Sequence, residues 1–338
     1  MRLVFRADAG IAIGSGHVMR CLTLAHAFRD MGTEIAFVCS DGPGSMIDRL
    51  REDNIPVSAL SADRPEAIDA LGPADVLVVD HYGLDARWET SARDATGAQV
   101  VVIDDLADRA HACDVLIDHN MGRAPSDYNG LVPPAATVLT GPKFAMLRPE
   151  FAASRPNAMK NRVGRIPRQL LIAFGGTDPD NWTGRCLESL ASLPAAGSLD
   201  VRVVMGPSAP HLGAVRRIAD TAGGQVTVVS DVRNMAVEIA SADIAIGAAG
   251  ISALERSVLG LPTLLAVTAP NQAPGSRALV AAGAALCIDP DDLLDSISRG
   301  LEHMRAADTL AAMQSAAAGV TDGLGTSRIA ETILAHGR

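Results

Sequence analysis

The first twenty residues constrain the fold most. An apolar stretch, Leu3 to Phe5, runs into a loop that holds Gly10, Gly14 and Gly16, and His17 then opens a helical pattern. A strand that passes into a helix through bare glycines is the crossing at which an α/β sheet offers backbone N–H groups to an anion. Here an imidazole stands at the same crossing, which points to phosphate or sugar-phosphate chemistry around His17. Taken alone the loop is a weak motif, because it is not GxGxxG and lacks the GK[ST] of a P-loop. A structural turn, with His17 capping or packing the helix, is the competing reading. Near solvent, a neutral imidazole at this point can instead take a proton from water. Arg20, one turn on, shares the face of His17 and reads as a phosphate ligand or as a solvated cation.

The strand-then-helix alternation continues through the chain. Leu3–Phe5, Glu34–Val38, Val76–Val79, Gln99–Ile103, Val115–Ile117 and Thr137–Leu139 read as strands, with stretches of helical spacing between them. A basic stretch poor in long apolar segments, Pro149–Pro167, reads as a linker. The pattern then restarts with Gln169–Phe174 and a second glycine loop, Gly175–Gly176–Thr177, followed by strands at Val201–Met205, Val226–Val229, Ile244–Ile246, Thr263–Ala266 and Ala285–Ile288. The expected fold class is α/β: two Rossmann-like parallel-sheet domains facing across a cleft, at 1–150 and 165–338. A chain of 338 residues is long enough for two cores. The last helix is expected to cross back to the N-terminal domain, and the cleft is expected to hold the active site.

Charge and cysteine usage exclude several classes. With 29 basic and 39 acidic side chains the net charge is −10, which argues against a nucleic-acid duplex or an acidic membrane as partner. Five cysteines without CxxC or metal spacing read as reduced, buried thiols of a cytoplasmic protein. The N-terminus lacks a secretory pattern, and no apolar run approaches the length of a membrane span. No cofactor, metal, membrane insertion or obligate protein partner is implied.

Polar residues gather at the ends of the expected strands. Asp80, His81 and Tyr82 follow one, and a phenol beside a charge there can bind a sugar, orient a catalytic group or simply pack. Asp104 and Asp105 follow another, where paired carboxylates serve acid/base work, a metal or, as read here, the capping of the next turn. His119 and Asn120 sit similarly beyond Val115–Ile117. In the second half, Gly175, Gly176 and Thr177 offer N–H groups and a hydroxyl to a pyrophosphate. The run from Gly247 to Glu255 is a strand end, a small-residue turn and a helix start. Ser252 with Glu255 fits a capping box; in the other reading Glu255 holds ribose hydroxyls while Gly250 lets phosphates approach. Asn271 and Gln272 either grip a sugar or satisfy their own loop.

RADAGIAIGSGHVMRCLTLAHAF, VVDHYGLD, VIDDLADR, AFGGTDPDN, GAAGISALERSVLGLPTL and the final NQ together resemble the PseG family, the UDP-2,4-diacetamido-2,4,6-trideoxy-β-L-altropyranose hydrolases of pseudaminic acid biosynthesis and flagellin glycosylation. The match runs from Arg2 to about Gln272, and GxGHxxR is its most specific part. The resemblance implies the GT-B arrangement of the MurG-type glycosyltransferases. It makes His17 the general base, with Tyr82 and Asn271 as catalytic partners near the sugar. It also implies a substrate site of Gly14, Gly16, Arg20, Gly175, Gly176, Thr177, Gly250, Ile251, Ser252, Glu255 and Gln272, in which the second domain holds UDP. The implied reaction is hydrolysis of the sugar C1–O bond with inversion. Alternatives are a GT-B UDP-sugar glycosyltransferase, a hydrolase or epimerase for a related UDP-diacetamido sugar of the legionaminic acid route, a non-catalytic nucleotide-sugar sensor, and a surface-glycan scaffold. A sensor would keep binding in His17→Ala with no turnover in either protein; a scaffold leaves the histidine loop unexplained.

Overall fold

Runs such as Val76–Val79 and Val100–Ile103 have no polar side to turn to water, so both faces of each strand must be covered. Parallel sheets with helices on both faces meet that condition. The computed structural model describes residues 1–11, 13–61, 63–162 and 164–336. They form two units, one of Met1–Arg148 with the chain from Leu324 on, the other of Pro149–Gly323.

In the first unit seven parallel strands lie in the order β3-β2-β1-β4-β5-β6-β7. They are β1 (Arg2–Ala7), β2 (Glu34–Ser40), β3 (Val57–Leu60), β4 (Val76–Asp80), β5 (Gln99–Ile103), β6 (Val115–Asp118) and β7 (Thr137–Thr140). Side chains alternate across the sheet as the two-residue period requires. Leu3 and Phe5 pack with Val18, Cys21 and Phe28 of the helix Gly16–Asp30, while Val4 faces Trp88 and Tyr128 on the other side. The C-terminal helix Gly325–His336 adds Ile329, Ala330 and Ile333 to the first of these clusters. Its entry is tight: a Cβ on Gly325 would stand 2.3 Å from the Ala145 carbonyl oxygen, so only glycine fits. Edge strand β3 is absent from the strands expected from sequence: it is four residues long, Ser58 and Ala59 are exposed, and only Leu60 is buried.

The second unit has six parallel strands in the order β10-β9-β8-β11-β12-β13. These are β8 (Gln169–Ala173), β9 (Asp200–Met205), β10 (Val226–Ser230), β11 (Ile244–Ala248), β12 (Thr263–Ala266) and β13 (Ala285–Cys287). In each sheet the strand order reverses once beside the first strand, between β1 and β4 and between β8 and β11. Loops leave the carboxyl ends of two such strands in opposite directions and open a crevice, the place where α/β sheets bind ligands.

The segment read as a linker is instead a helix, Pro149–Arg162, with Phe151, Ala158 and Arg162 buried; Val163 lies outside the described residues. Its arginines misled the sequence reading because they serve the interior. Arg155 donates to Val258 O at 2.6 Å, Ala318 O at 2.7 Å and Thr321 O at 2.9 Å. Arg162, 2% exposed, donates to Ala242 O at 2.9 Å and to the Leu259 and Ile239 carbonyls. The last carbonyls of a helix have no partner within it, and a guanidinium supplies donors where water is shut out. The cysteines also differ from expectation at one position: Cys21, Cys39, Cys113 and Cys186 are buried thiols, but Cys287 is exposed at the sheet edge.

Arg162→Met should strand these carbonyls. It is expected to cost about 2–4 kcal/mol, seen as a fall of roughly 5–10 °C in the thermal unfolding of the second unit.

Candidate active site

The loop between β1 and its helix is built from backbone alone. Gly10 and Gly14 exchange hydrogen bonds, Gly14 N to Gly10 O at 2.8 Å and Gly10 N to Gly14 O at 3.2 Å, and Gly14 has φ +74°. The turn at Gly44 presses against Ile11, where a Cβ would come within 2.7 Å of the Ile11 nitrogen. The helix then starts without a side-chain cap on Ser15, and the Gly16 backbone faces open space. His17 is therefore held at a helix start, where its ring turns toward the end of β4.

There it meets Asp80. His17 Nδ1 lies 2.5 Å from Asp80 Oδ1, and Arg20 clasps the same carboxylate with Nε to Oδ2 at 2.6 Å and Nη2 to Oδ1 at 2.7 Å. All three side chains are buried. Burial pushes the Asp80 carboxyl up, but Arg20 and His17 outweigh it and hold it down at about 2. An ionised Asp80 can only accept, so the 2.5 Å contact puts the His17 proton on Nδ1, with Arg20 Nη2 3.2 Å from the same nitrogen, and the lone pair on Nε2, which has no hydrogen-bond partner among the described residues.

Arg20 reaches further, from Nη1 to Asp105 Oδ1 at 2.8 Å, and Asp105 Oδ2 accepts from the Tyr82 hydroxyl at 2.9 Å. The Tyr82 ring stands edge-on to His17, with centroids 4.6 Å apart. His17, Arg20 and Tyr82, expected from sequence, thus converge on two carboxylates. From sequence, Asp105 is expected, with Asp104, to cap the next turn. Only Asp104 does that, accepting from Leu106 N and Ala107 N, while Asp105 turns into the site. Two consecutive aspartates at a strand end point to opposite faces.

The end of β6 closes this edge. Asp118 accepts from Asn120 Nδ2 at 2.8 Å and from Tyr128 at 2.9 Å, and burial pushes its carboxyl up to about 6. Asn120 Nδ2 also lies 3.2 Å from Asp105 Oδ1. His119 is 3% exposed, and its Nδ1 has no partner among the described residues. Burial, with the Arg20 charge beside it, pushes this imidazole down to about 4, so it is neutral in ordinary buffers. No group of three His, Cys, Asp or Glu side chains among the described residues is arranged to hold a metal ion.

In the second unit the crevice between β8 and β11 carries the other expected residues. After Ala173 the chain exposes Gly175, at φ +90°, with Gly176 and Thr177. Asp178 then accepts from Trp182 N and Thr183 N, both at 2.9 Å, at the start of the helix Trp182–Ala191, whose N-cap is Asn181. Gly176 O accepts from Gly206 N at 3.1 Å, which ties the loops after β8 and β9 together. Gly175, Gly176, Ser252 and Glu255 line one cavity of about 260 Å³. The capping box does not form: Gly250 is the N-cap of the helix Ile251–Val258, with no side-chain cap, because the helix starts earlier than Ser252. That leaves Ser252 and Glu255 on the cavity wall. Gln272 accepts from Thr268 N at 3.0 Å and Thr268 Oγ1 at 3.1 Å, so its oxygen serves its own loop, while Asn271 is exposed beside it.

No family model matches the chain. It is 31% identical over 222 residues to the UDP-2,4-diacetamido-2,4,6-trideoxy-β-L-altropyranose hydrolase of Campylobacter jejuni, which covers 65% of this chain and 74% of that protein. The chain belongs to this hydrolase family. The spore coat polysaccharide biosynthesis protein SpsG of Bacillus subtilis is 24% identical over 298 residues, 85% of this chain and 84% of that one. Among solved structures, MurG of Acinetobacter baumannii superposes with a TM-score of 0.69 at 16% identity, covering 99% of both chains. The fold is therefore GT-B, shared by this hydrolase family member and a glycosyltransferase.

His119 makes stability depend on pH. Its folded value near 4 lies below the unfolded 6.5, so its contribution is complete above 6.5 and is lost as pH falls toward 4. Replacing His119 by Gln should remove that loss. Between neutral pH and about pH 5, thermal unfolding of the wild type should lose up to about 2 kcal/mol more than the variant.

Proposed function

We propose that this chain hydrolyses UDP-2,4-diacetamido-2,4,6-trideoxy-β-L-altropyranose to UDP and the free sugar, with His17 as general base. The observation that carries the reading is the 2.5 Å contact between His17 Nδ1 and Asp80. It leaves Nε2 free to take a proton from water while the water oxygen attacks the anomeric carbon. The C1–O bond breaks, its electron pair leaves on the diphosphate, and a single displacement inverts the anomeric centre. Tyr82, held by Asp105, borders the base and is assigned to the sugar, as are Asn271 and Gln272; Gly14, Gly16 and Arg20 belong to the same half of the reaction.

The nucleotide half is assigned to the second unit. N–H groups of Gly175, Gly176 and Gly250, together with Thr177, Ile251 and Ser252, face the diphosphate, and Glu255 takes the ribose hydroxyls. Donors fixed in advance where charge develops on a leaving group stabilise the transition state more than the ground state. The Campylobacter relative carries this activity in its name, and family membership supports the same substrate here. A cytoplasmic location fits a nucleotide-sugar substrate and buried thiols.

Turnover in heavy-oxygen water without any acceptor tests the reading. The label is expected in the sugar and not in UDP, and His17→Ala is expected to lower kcat by about 10²–10⁴ while UDP still binds. Label in UDP would place the cleavage at phosphorus. UDP binding without turnover would favour a transferase lacking its acceptor, another sugar, or a sensor.

A further inference from the structure

Arg256 follows Glu255 on the helix Ile251–Val258, yet its guanidinium is carried into the interior and is 2% exposed. Among the described residues it makes one hydrogen bond, from Nη2 to Ala248 O at 2.6 Å, and Nε has no partner. A guanidinium has five N–H donors, so most of this one stands unused although the side chain is carried inward. Burial pushes its pKa down to about 10, against the pull of the neighbouring Glu255 carboxylate. The position is costly unless something with negative oxygen completes it.

Its place in the fold says what that is. Gly247 and Ala173 are paired at the carboxyl ends of β11 and β8, the two strands at which the order reverses. A Cβ on Gly247 would stand 2.5 Å from Ala173 O and 2.8 Å from Arg256 Nη1, so the guanidinium lies across these strand ends only because residue 247 has no side chain. Arg256 lines the same cavity of about 260 Å³ as Gly175, Gly176 and Ser252. Glycine-loop N–H groups, a hydroxyl and a buried cation therefore meet at one strand edge; the rest of the lining is largely apolar, with Leu171, Val204 and Met235, and carries the carboxylates of Glu255 and Asp231.

We propose that Arg256 is a nucleotide-binding residue that donates its unused N–H groups to a phosphate oxygen of the bound diphosphate. This deepens the assignment of the nucleotide to the second unit and rests on it. The bond to Ala248 O orients the guanidinium, and the anion supplies the missing acceptors. A charge-assisted pair of this kind, out of water, is worth more than a neutral hydrogen bond, and its geometry is set before the ligand arrives.

Calorimetric titration of uridine, UDP and inorganic pyrophosphate into the wild type, Arg256→Met and Arg256→Lys tests it. Arg256→Met is expected to weaken UDP by about 10- to 100-fold, to abolish measurable pyrophosphate binding, and to leave uridine within about twofold. Arg256→Lys, which keeps the charge but not the fork, should fall between. Retained uridine binding shows that the pocket is still folded. Equal loss of UDP and uridine would overturn the proposal in favour of a nucleobase contact or a purely structural role, and so would unchanged UDP affinity. A wild type that binds pyrophosphate but neither uridine nor UDP would instead overturn the nucleotide assignment while leaving the anion site standing.

Discussion

The Asp80 carboxylate, buried at the end of β4, is the group on which the polar cluster of the first unit depends. A lone carboxylate there would be expelled or neutralised. It stays ionised because Arg20 clasps both its oxygens and His17 meets one of them, and both partners come from one helix at a spacing of three. That spacing puts them one turn apart on a single face. The strand order then decides which carboxylate they meet, since β4 is the neighbour of β1 across the point of reversal. Removing Asp80 would leave Arg20 and His17 with uncompensated buried donors, which is why the cluster behaves as a unit and not as separate contacts.

The two sheets solve the same problem with different chemistry. Each puts its glycine loop after its first strand and a second loop after the strand across the reversal. In the first unit the crevice is filled with a hydrogen-bonded cluster of His17, Asp80, Arg20, Asp105 and Tyr82. In the second it is left as a cavity beside exposed glycines, with Glu255, Ser252 and Arg256 on its wall. A GT-B fold places no demand on what occupies those crevices, so a hydrolase and a glycosyltransferase can share it.

Much of this was legible in the chain. The two-sheet α/β architecture follows from short apolar runs separated by helix-length stretches; Tyr82 stands out just past one of them, and His17 at the helix start beyond the first glycine loop. What the sequence did not disclose depends on direction in space. Asp104 and Asp105 are neighbours with one composition, and only the alternation of the strand sends one to the turn and the other to Tyr82 and Arg20. The Pro149–Arg162 helix was hidden because its arginines look solvated when their partners, carbonyls at residues 239, 242, 258, 259, 318 and 321, are far away in sequence. The Ser252–Glu255 spacing fits a capping box, yet the helix begins at Ile251, and one residue of offset turns a cap into a wall of the cavity.

The central claim is that Asp80 holds His17 with its proton on Nδ1 and its basic lone pair on Nε2. Nitrogen NMR of histidine-labelled protein at neutral pH reads that tautomer directly, with His17→Gln used to assign the signal. An Nδ1–H tautomer in the wild type, lost or mixed in Asp80→Asn, is the expected result. An Nε2–H tautomer in the wild type would mean that the nitrogen assigned as base already carries a proton, and would contradict the assignment of His17 as the group that activates water.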